Sequence, residues 1–284
     1  MPMLDGSGPI DQKLPNSQIP QTQRFREFQL DDRVFVVTGG GRGLGLTMAE
    51  ALIEAGATVH CLDWLEEPDD EFGAAQKRAN PDFGGSLHYN RIDVRDSDNL
   101  DSVIGGIAAK YQRLDGLIAA AGIQQVTAAT EYKVEDVTKM MEINYTGVFM
   151  TAAAVARRMM EHGCKGSMVL VASISGFVAN KGLISPVYNS SKAAVIQCAR
   201  NLAMEWGPKG IRVNALCPGH IVTPMVLKNF EKDPSLQKKW EKENFLGRLS
   251  QPEEFRGAGL FLLSDASSFM TGSSLVIDGG HTAW

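Results

Sequence analysis

The chain has 284 residues, 44% of them hydrophobic and 21% charged, with a formal net charge of −5. This is enough apolar material for one large core, and an acidic balance argues against unaided binding of nucleic acid or anionic membrane, which reward cationic surfaces. Four cysteines without a CxxC pair and five histidines without HxxxH or HExxH spacing give a metal site no support.

No run of about 18 apolar residues and no basic-then-apolar leader is present, so a cytoplasmic protein with no membrane partner is expected. Residues 1–30 mix Pro2, Pro9, Pro15 and Pro20 with polar residues and follow neither helical nor strand period. They read as a flexible arm ahead of one domain over residues 31–284.

From Arg33 the pattern is regular. RVFVVTG reads as a strand, Leu44 to Ala55 as a helix, TVHCLD and LHYNRIDV as strands. Asp98 to Tyr111 reads as a helix and LDGLIAAAG as a strand. A helix from Val134 to Tyr145 runs on into GVFMTAAAVARRMMEHG. GSMVLVASIS is a strand, Tyr188 to Trp206 a helix, IRVNALCPG a strand. Helical segments over Ser235 to Asn244 and Pro252 to Ser264 precede a last strand, SLVIDGG. Cys61 and Cys217 fall in strands and Cys198 in a helix, where buried thiols are expected. Short continuous apolar strands alternating with amphipathic helices predict an α/β fold: a single-domain, Rossmann-like doubly wound parallel sheet with helices on both faces.

The first strand ends in TGGGRGLG, five glycines within nine residues from Val37, before turning helical. Gly39 permits a tight turn, Gly43 lets a pyrophosphate approach bare backbone, and Gly45 allows close helix packing. The free N–H groups at the helix start would face the phosphates. Asp63 closes the second strand, where a carboxylate can accept the hydroxyls of the adenosine ribose. It favours NAD, whereas Arg42 inside the loop would permit NADP by pairing with its 2′-phosphate.

Further on, YNSSK sets Tyr188 and Lys192 four apart on one helix face. A phenol with a pKa of about 10 is a poor base at neutral pH, and a neighbouring ammonium makes it a workable proton carrier for an alcohol/ketone pair. Two serines, Ser173 and Ser175, end the strand VLVASIS, fifteen and thirteen residues ahead of Tyr188.

The loop spacing TGxxxGxG, together with YxxxK, resembles the short-chain dehydrogenase/reductase family, and the likeness covers about residues 30–284. That resemblance implies hydride transfer between a nicotinamide and a carbonyl carbon, with a Ser-Tyr-Lys-Asn relay. Aligning the strand end with the family pattern picks Ser173 as the serine that orients the substrate oxygen. Asn144 in EINYTGVF matches the helix asparagine that helps hold a water near the lysine. Lys192 also holds the ribose. On the same footing Leu44 belongs to the glycine loop, Asp93 and Val94 flank the adenine, and Ala121 and Gly122 lie against the cofactor. Ala119 to Gly122, AAAG, departs from the commoner Asn-Asn-Ala-Gly and so lacks one strand-stabilising amide contact. Pro218 and Gly219 lead into the nicotinamide segment, where Ile221 and Thr223 contact the carboxamide side.

GGGRGLGL, EALIEAGA and YNSSKAAV look most like fungal sorbose reductase and mannitol or arabinitol dehydrogenase members, which implies a polyol or ketose substrate. Gln124, Gln125, Ser175, Asn180, His220 and Met225 are candidate pocket residues, several of them able to pair with hydroxyls. Phe177, Met225, Phe230 and Trp240 would supply an apolar roof, and residues 222–249 read as a mobile lid. A tailoring ketoreductase of a bulkier secondary metabolite stays open, as do a lyase, epimerase or cyclase on the same fold and a dinucleotide-sensing protein without chemistry. In the resembled family the helices over Val137–Met160 and Ser191–Trp206 form a four-helix dimer interface and the carboxyl-terminal strand helps make a tetramer, which implies a homotetramer.

Overall fold

The computed structural model describes residues 25–78 and 84–284; most of the arm expected over residues 1–30 lies outside the described residues. Seven strands form one sheet: β1 (Val34–Thr38), β2 (Thr58–Asp63), β3 (Ser86–Arg91), β4 (Gly116–Ala119), β5 (Gly166–Val171), β6 (Ile211–Pro218) and β7 (Ser274–Ile277). Their order is β3-β2-β1-β4-β5-β6-β7, every pairing parallel. All five residues of β1 and all four of β4 are buried, as continuous apolar strands covered on both faces should be.

The alternation of side chains across β1 divides the core. Val34 and Val36 join a cluster with Leu117, Val155 and Ile196 on the face covered by α3 (Ser97–Tyr111), α5 (Gly147–Glu161) and α6 (Pro186–Trp206). Phe35 and Val37 join Leu52, Phe72, Phe255 and Leu262 on the other, under α1 (Gly43–Glu54), α2 (Asp70–Arg78) and α9 (Arg256–Leu263). Of these helices α2 has no counterpart in the sequence-based expectation. It buries only Phe72 and Ala75, too thin an apolar stripe to read. Acidic Asp70 and Glu71 at its start and basic Lys77 and Arg78 at its end suit the helix dipole.

The remaining helices shape the cleft. α4 (Val134–Met141) passes through a π turn at Glu142–Thr146 into α5, and α7 (Pro224–Lys232) and α8 (Ser235–Glu243) form a cover after β6. The chain turns one way from β1 to β2 and the other from β4 to β5, so the carboxyl ends of β1 and β4 open a crevice at the switch point. Cys61, Cys198 and Cys217 are buried free thiols, as expected, and Cys164 is half-buried.

Candidate active site

The glycine loop leaves β1 at this crevice. Gly43 has φ 54°, a conformation that disfavours side chains, and no atom lies within 4 Å of where its Cβ would stand. A Cβ on Gly45 would strike the Gly39 carbonyl oxygen, so α1 packs directly on the loop it follows. Arg42 caps α1 with no side-chain hydrogen bond, and the first turn carries no acidic residue. The helix start is thus left with uncapped N–H groups and a positive dipole end, which fit a pyrophosphate. Leu44 is half-buried beside the core. The Arg42 side chain is exposed and makes no ion pair with a described residue.

Asp63 is buried at the end of β2, and its Oδ2 accepts the Gly41 N–H at 3.0 Å. Its carboxylate therefore stands against the loop. Past β3, Asp93 is clasped by Arg95 at 2.5 Å, which holds its carboxyl below the usual range, and Val94 is buried where α5 begins at Gly147. Beyond β4 the Ala121 N–H reaches Thr38 Oγ1 at 3.4 Å, a link to β1 that does not need the amide side chains missing from AAAG. A Cβ on Gly122 would lie 3.4 Å from Asn144 Oδ1 and 3.5 Å from Lys192 Nζ. Pro218 ends β6, and the Gly219 N–H bonds Ile277 O at 2.9 Å. Ile221 is buried and bridges Ser250; Thr223 caps α7 by accepting the Val226 N–H at 3.4 Å. The expected cofactor residues outside α6 thus lie at or after the carboxyl ends of β1, β2, β3, β4 and β6, on one side of the sheet.

The reactive cluster stands on β5 and α6. Pro186 at the first turn starts α6, and two residues on Tyr188 faces the sheet end with Lys192 one turn below. Lys192 is 4% exposed; its Nζ donates to Val171 O at 2.9 Å and lies 5.6 Å from the Tyr188 ring centroid. Burial pulls its pKa down to about 8, with Cys217 opposing weakly. Burial likewise pushes the Tyr188 phenol up, and a hydrogen bond with Ser173 lowers it. Ser173 caps the short 3-10 turn Ile174–Gly176, its Oγ accepting the Ser175 N–H at 3.1 Å. Of the two candidate serines, Ser173 is the one beside the phenol.

Asn144 is fully buried in the π turn, a widened turn of the kind common at functional sites. Its Oδ1 accepts the Ile123 N–H at 2.8 Å, and its Nδ2 donates to Ile123 O at 2.9 Å and to Ser191 Oγ at 3.1 Å. Ser191 in turn donates to Tyr188 O at 2.7 Å. Sequence reasoning missed Ser191 and also Asn229, whose Nδ2 donates to Gln124 Oε1 at 3.0 Å and ties α7 to the loop after β4. Ser191 is an unspecified position within YNSSK, and Asn229 lies in no motif. His220 and Trp240 do not line open space: their rings stack at 3.9 Å with a 1° interplanar angle, and burial takes His220 down to about 3. Met225 lies in a part of α7 whose side chains fall outside the described residues.

A doubly wound sheet whose switch point joins an anion-ready glycine loop to a buried lysine beneath a tyrosine defines a nicotinamide-dependent oxidoreductase. Comparison with known proteins agrees. A family model described as enoyl-(acyl carrier protein) reductase matches residues 39–282. A short chain dehydrogenase/reductase of Aspergillus versicolor is 40% identical over 275 residues, 95% of this chain and 94% of that protein. The D-arabinitol 2-dehydrogenase (ribulose-forming) of Candida albicans is 32% identical over 267 residues, 90% of this chain and 95% of that one. The crystal structure of an NADPH-dependent 3-quinuclidinone reductase from Rhodotorula rubra superposes with a TM-score of 0.84 at 31% identity, covering 98% of this chain and 100% of that one. The chain belongs to the short-chain dehydrogenase/reductase family and is an NAD(P)-dependent enzyme of that family.

Proposed function

We propose that the enzyme interconverts a secondary alcohol and a ketone of a polyol or ketose, with Ser173, Tyr188, Lys192 and Asn144 as its proton-handling residues. The observation that carries the chemistry is the Lys192 ammonium, buried 5.6 Å from the Tyr188 ring centre and held by Val171 O at the end of the strand that leads to Ser173. The bound nicotinamide would supply or take up the hydride. Ser173 Oγ accepts the Ser175 N–H, so its own proton is left to donate, towards the phenol oxygen and, when substrate is bound, towards the substrate oxygen. Tyr188 gives its phenolic proton to that oxygen in reduction and takes it back in oxidation. The Lys192 charge stabilises the phenolate left behind, and Asn144 braces the relay between Ile123 and α6.

The polyol assignment rests on the polar side chains Gln124, Asn229, Ser175 and Asn180 around the cleft, and on the likeness to an arabinitol dehydrogenase. We read NAD as the preferred cofactor because Asp63 would oppose a 2′-phosphate at the loop, with NADP admitted through the exposed Arg42. A bulkier ketone is the second reading, favoured by exposed Phe177 and Ile184 at the rim and by the likeness to a quinuclidinone reductase.

Steady-state rates with NADH and NADPH, against ketopentoses and bicyclic ketones, separate these readings. Ketose turnover that drops on the order of 10²–10⁴-fold in Tyr188→Phe, with cofactor binding retained, is expected. Near-normal turnover by that variant would remove Tyr188 from its role. Turnover confined to bicyclic ketones would move the substrate class.

A further inference from the structure

Between the reactive cluster and the lid lies a buried donor–acceptor pair that the relay does not use. Ser175 and Asn180 follow β5 on the turn that begins with Ser173, and they are 6% and 5% exposed. The Ser175 backbone N–H is spent on Ser173 Oγ at 3.1 Å, which fixes Ser175 beside the atom that holds the reacting oxygen. Asn180 Nδ2 donates to Ser175 Oγ at 2.6 Å. A hydroxyl that receives an N–H must aim its own proton elsewhere, and the Ser175 O–H has no acceptor among the described residues. Asn180 Oδ1 is likewise buried without a partner. Native interiors hold few such atoms, because an unmet buried carbonyl loses water and gains nothing in return.

The pair is held from above. Leu183 N–H bonds Asn180 O at 3.1 Å, closing a turn. Gly182 in that turn has φ 89°, a conformation side chains rarely adopt, and it packs against the end of the Lys239 side chain and Leu236 of α8. Leu183 packs with Leu236, Trp240 and Leu249. The lid therefore fixes Asn180 in place beneath it.

A free O–H next to a free carbonyl oxygen is the complement of another hydroxyl, which both accepts and donates at one atom. We propose that Ser175 and Asn180 form a hydroxyl-reading subsite, with Asn180 Oδ1 accepting the O–H on the carbon adjacent to the reacting one. The substrate class is then an α-hydroxy ketone or the vicinal diol it comes from. This rests on the polyol reading above and names the contact that would enforce it. The Ser175 backbone N–H bonds Ser173 Oγ at 3.1 Å, so the pair stands on the same turn as the serine that would hold the reacting oxygen.

The test compares two ketones that differ by that hydroxyl alone, 1-hydroxy-2-butanone and 2-butanone, using the full chain with its preferred cofactor. The wild type should favour the hydroxyketone in kcat/KM by about ten-fold or more, since sites built around a hydroxyl reject its absence. Asn180→Leu should collapse that ratio, mainly through KM, whereas Asn180→Asp, which keeps an acceptor, should retain most of it. Ser175→Ala, which keeps the backbone N–H to Ser173, should lower the ratio too and stands in if Asn180→Leu does not fold. A wild-type preference that survives both Asn180→Leu and Ser175→Ala overturns the subsite and leaves the polyol reading intact. A wild type with no preference, with the opposite preference, or with turnover of neither ketone overturns both.

Discussion

Lys192 is an expensive residue to keep where it is. Its side chain is 4% exposed and its nearest polar contact is one backbone carbonyl, Val171 O. Burial takes its pKa from 10.5 to about 8. A lowered lysine pKa means that the folded state binds the proton less tightly than the unfolded chain. The penalty is therefore full below pH 8, shrinks as pH rises from 8, and is gone above 10.5. The shift corresponds to about 3 kcal/mol at most, and losing the bond to Val171 O gives back about 1 kcal/mol. Lys192→Met should thus raise the melting temperature of the cofactor-free enzyme at pH 7, by about 2 kcal/mol of stability, while abolishing turnover. The gain should fade near pH 10. A lower melting temperature at pH 7 would mean that the ammonium stabilises the fold rather than burdening it, and that its position serves structure before chemistry. Stability given up at a reactive group is a common feature of active sites.

At the scale of elements, the cleft is closed by a lid that touches its rim through few polar bonds. α7 is held to the loop after β4 by Asn229 and Gln124, 3.0 Å apart, with Asn229 buried. α8 is held by Trp240, flat on His220, and by Leu236 against Leu183. Removing only the first bond should loosen α7 while α8 stays seated. Asn229→Ala is expected to raise KM for the carbonyl substrate by roughly ten-fold, an effect of about 1.4 kcal/mol, with cofactor affinity near normal. Equal losses in cofactor and substrate binding would mean that α7 supports the whole cleft instead. The two tethers also mark the limit of what the sequence tells. The strands, the glycine loop, Asp63 and the Tyr188–Lys192 pair are legible because their residue types are dictated by local backbone geometry or by chemistry at fixed spacing. The stack of His220 on Trp240 and the bond from Asn229 to Gln124 join residues 20 and 105 positions apart in the chain. Nothing local specifies them. α2 was hidden for a related reason, since a helix that buries two side chains leaves little periodicity to read.

For the whole molecule, two of the places where apolar side chains lie on the outside are a helical face and a sheet edge. Val134, Phe149 and Met160 on α4 and α5, with Met204 on α6, are between 39% and 76% exposed. At the far end of the sheet, β7 is an edge strand with Val276 38% exposed, and the loop before it carries a fully exposed Phe269. An uncovered edge with apolar side chains invites pairing. Two separate surfaces of this kind on one chain suit a tetramer of dihedral symmetry, in which each two-fold axis uses its own patch. We propose that assembly, one interface through α4, α5 and α6 and the other across β7. Light scattering coupled to size exclusion should give four times the chain mass. Val276→Lys, placing a charge in the β7 contact, should halve that mass and leave the helical interface intact, so dimers are expected rather than monomers. A wild type that elutes as a monomer at micromolar concentration would remove both interfaces. A tetramer untouched by Val276→Lys would shift the second contact away from β7. If dimers do form, their turnover separates assembly from chemistry, because the glycine loop, Ser173, Tyr188 and Lys192 all come from one chain and need no partner to complete the cluster.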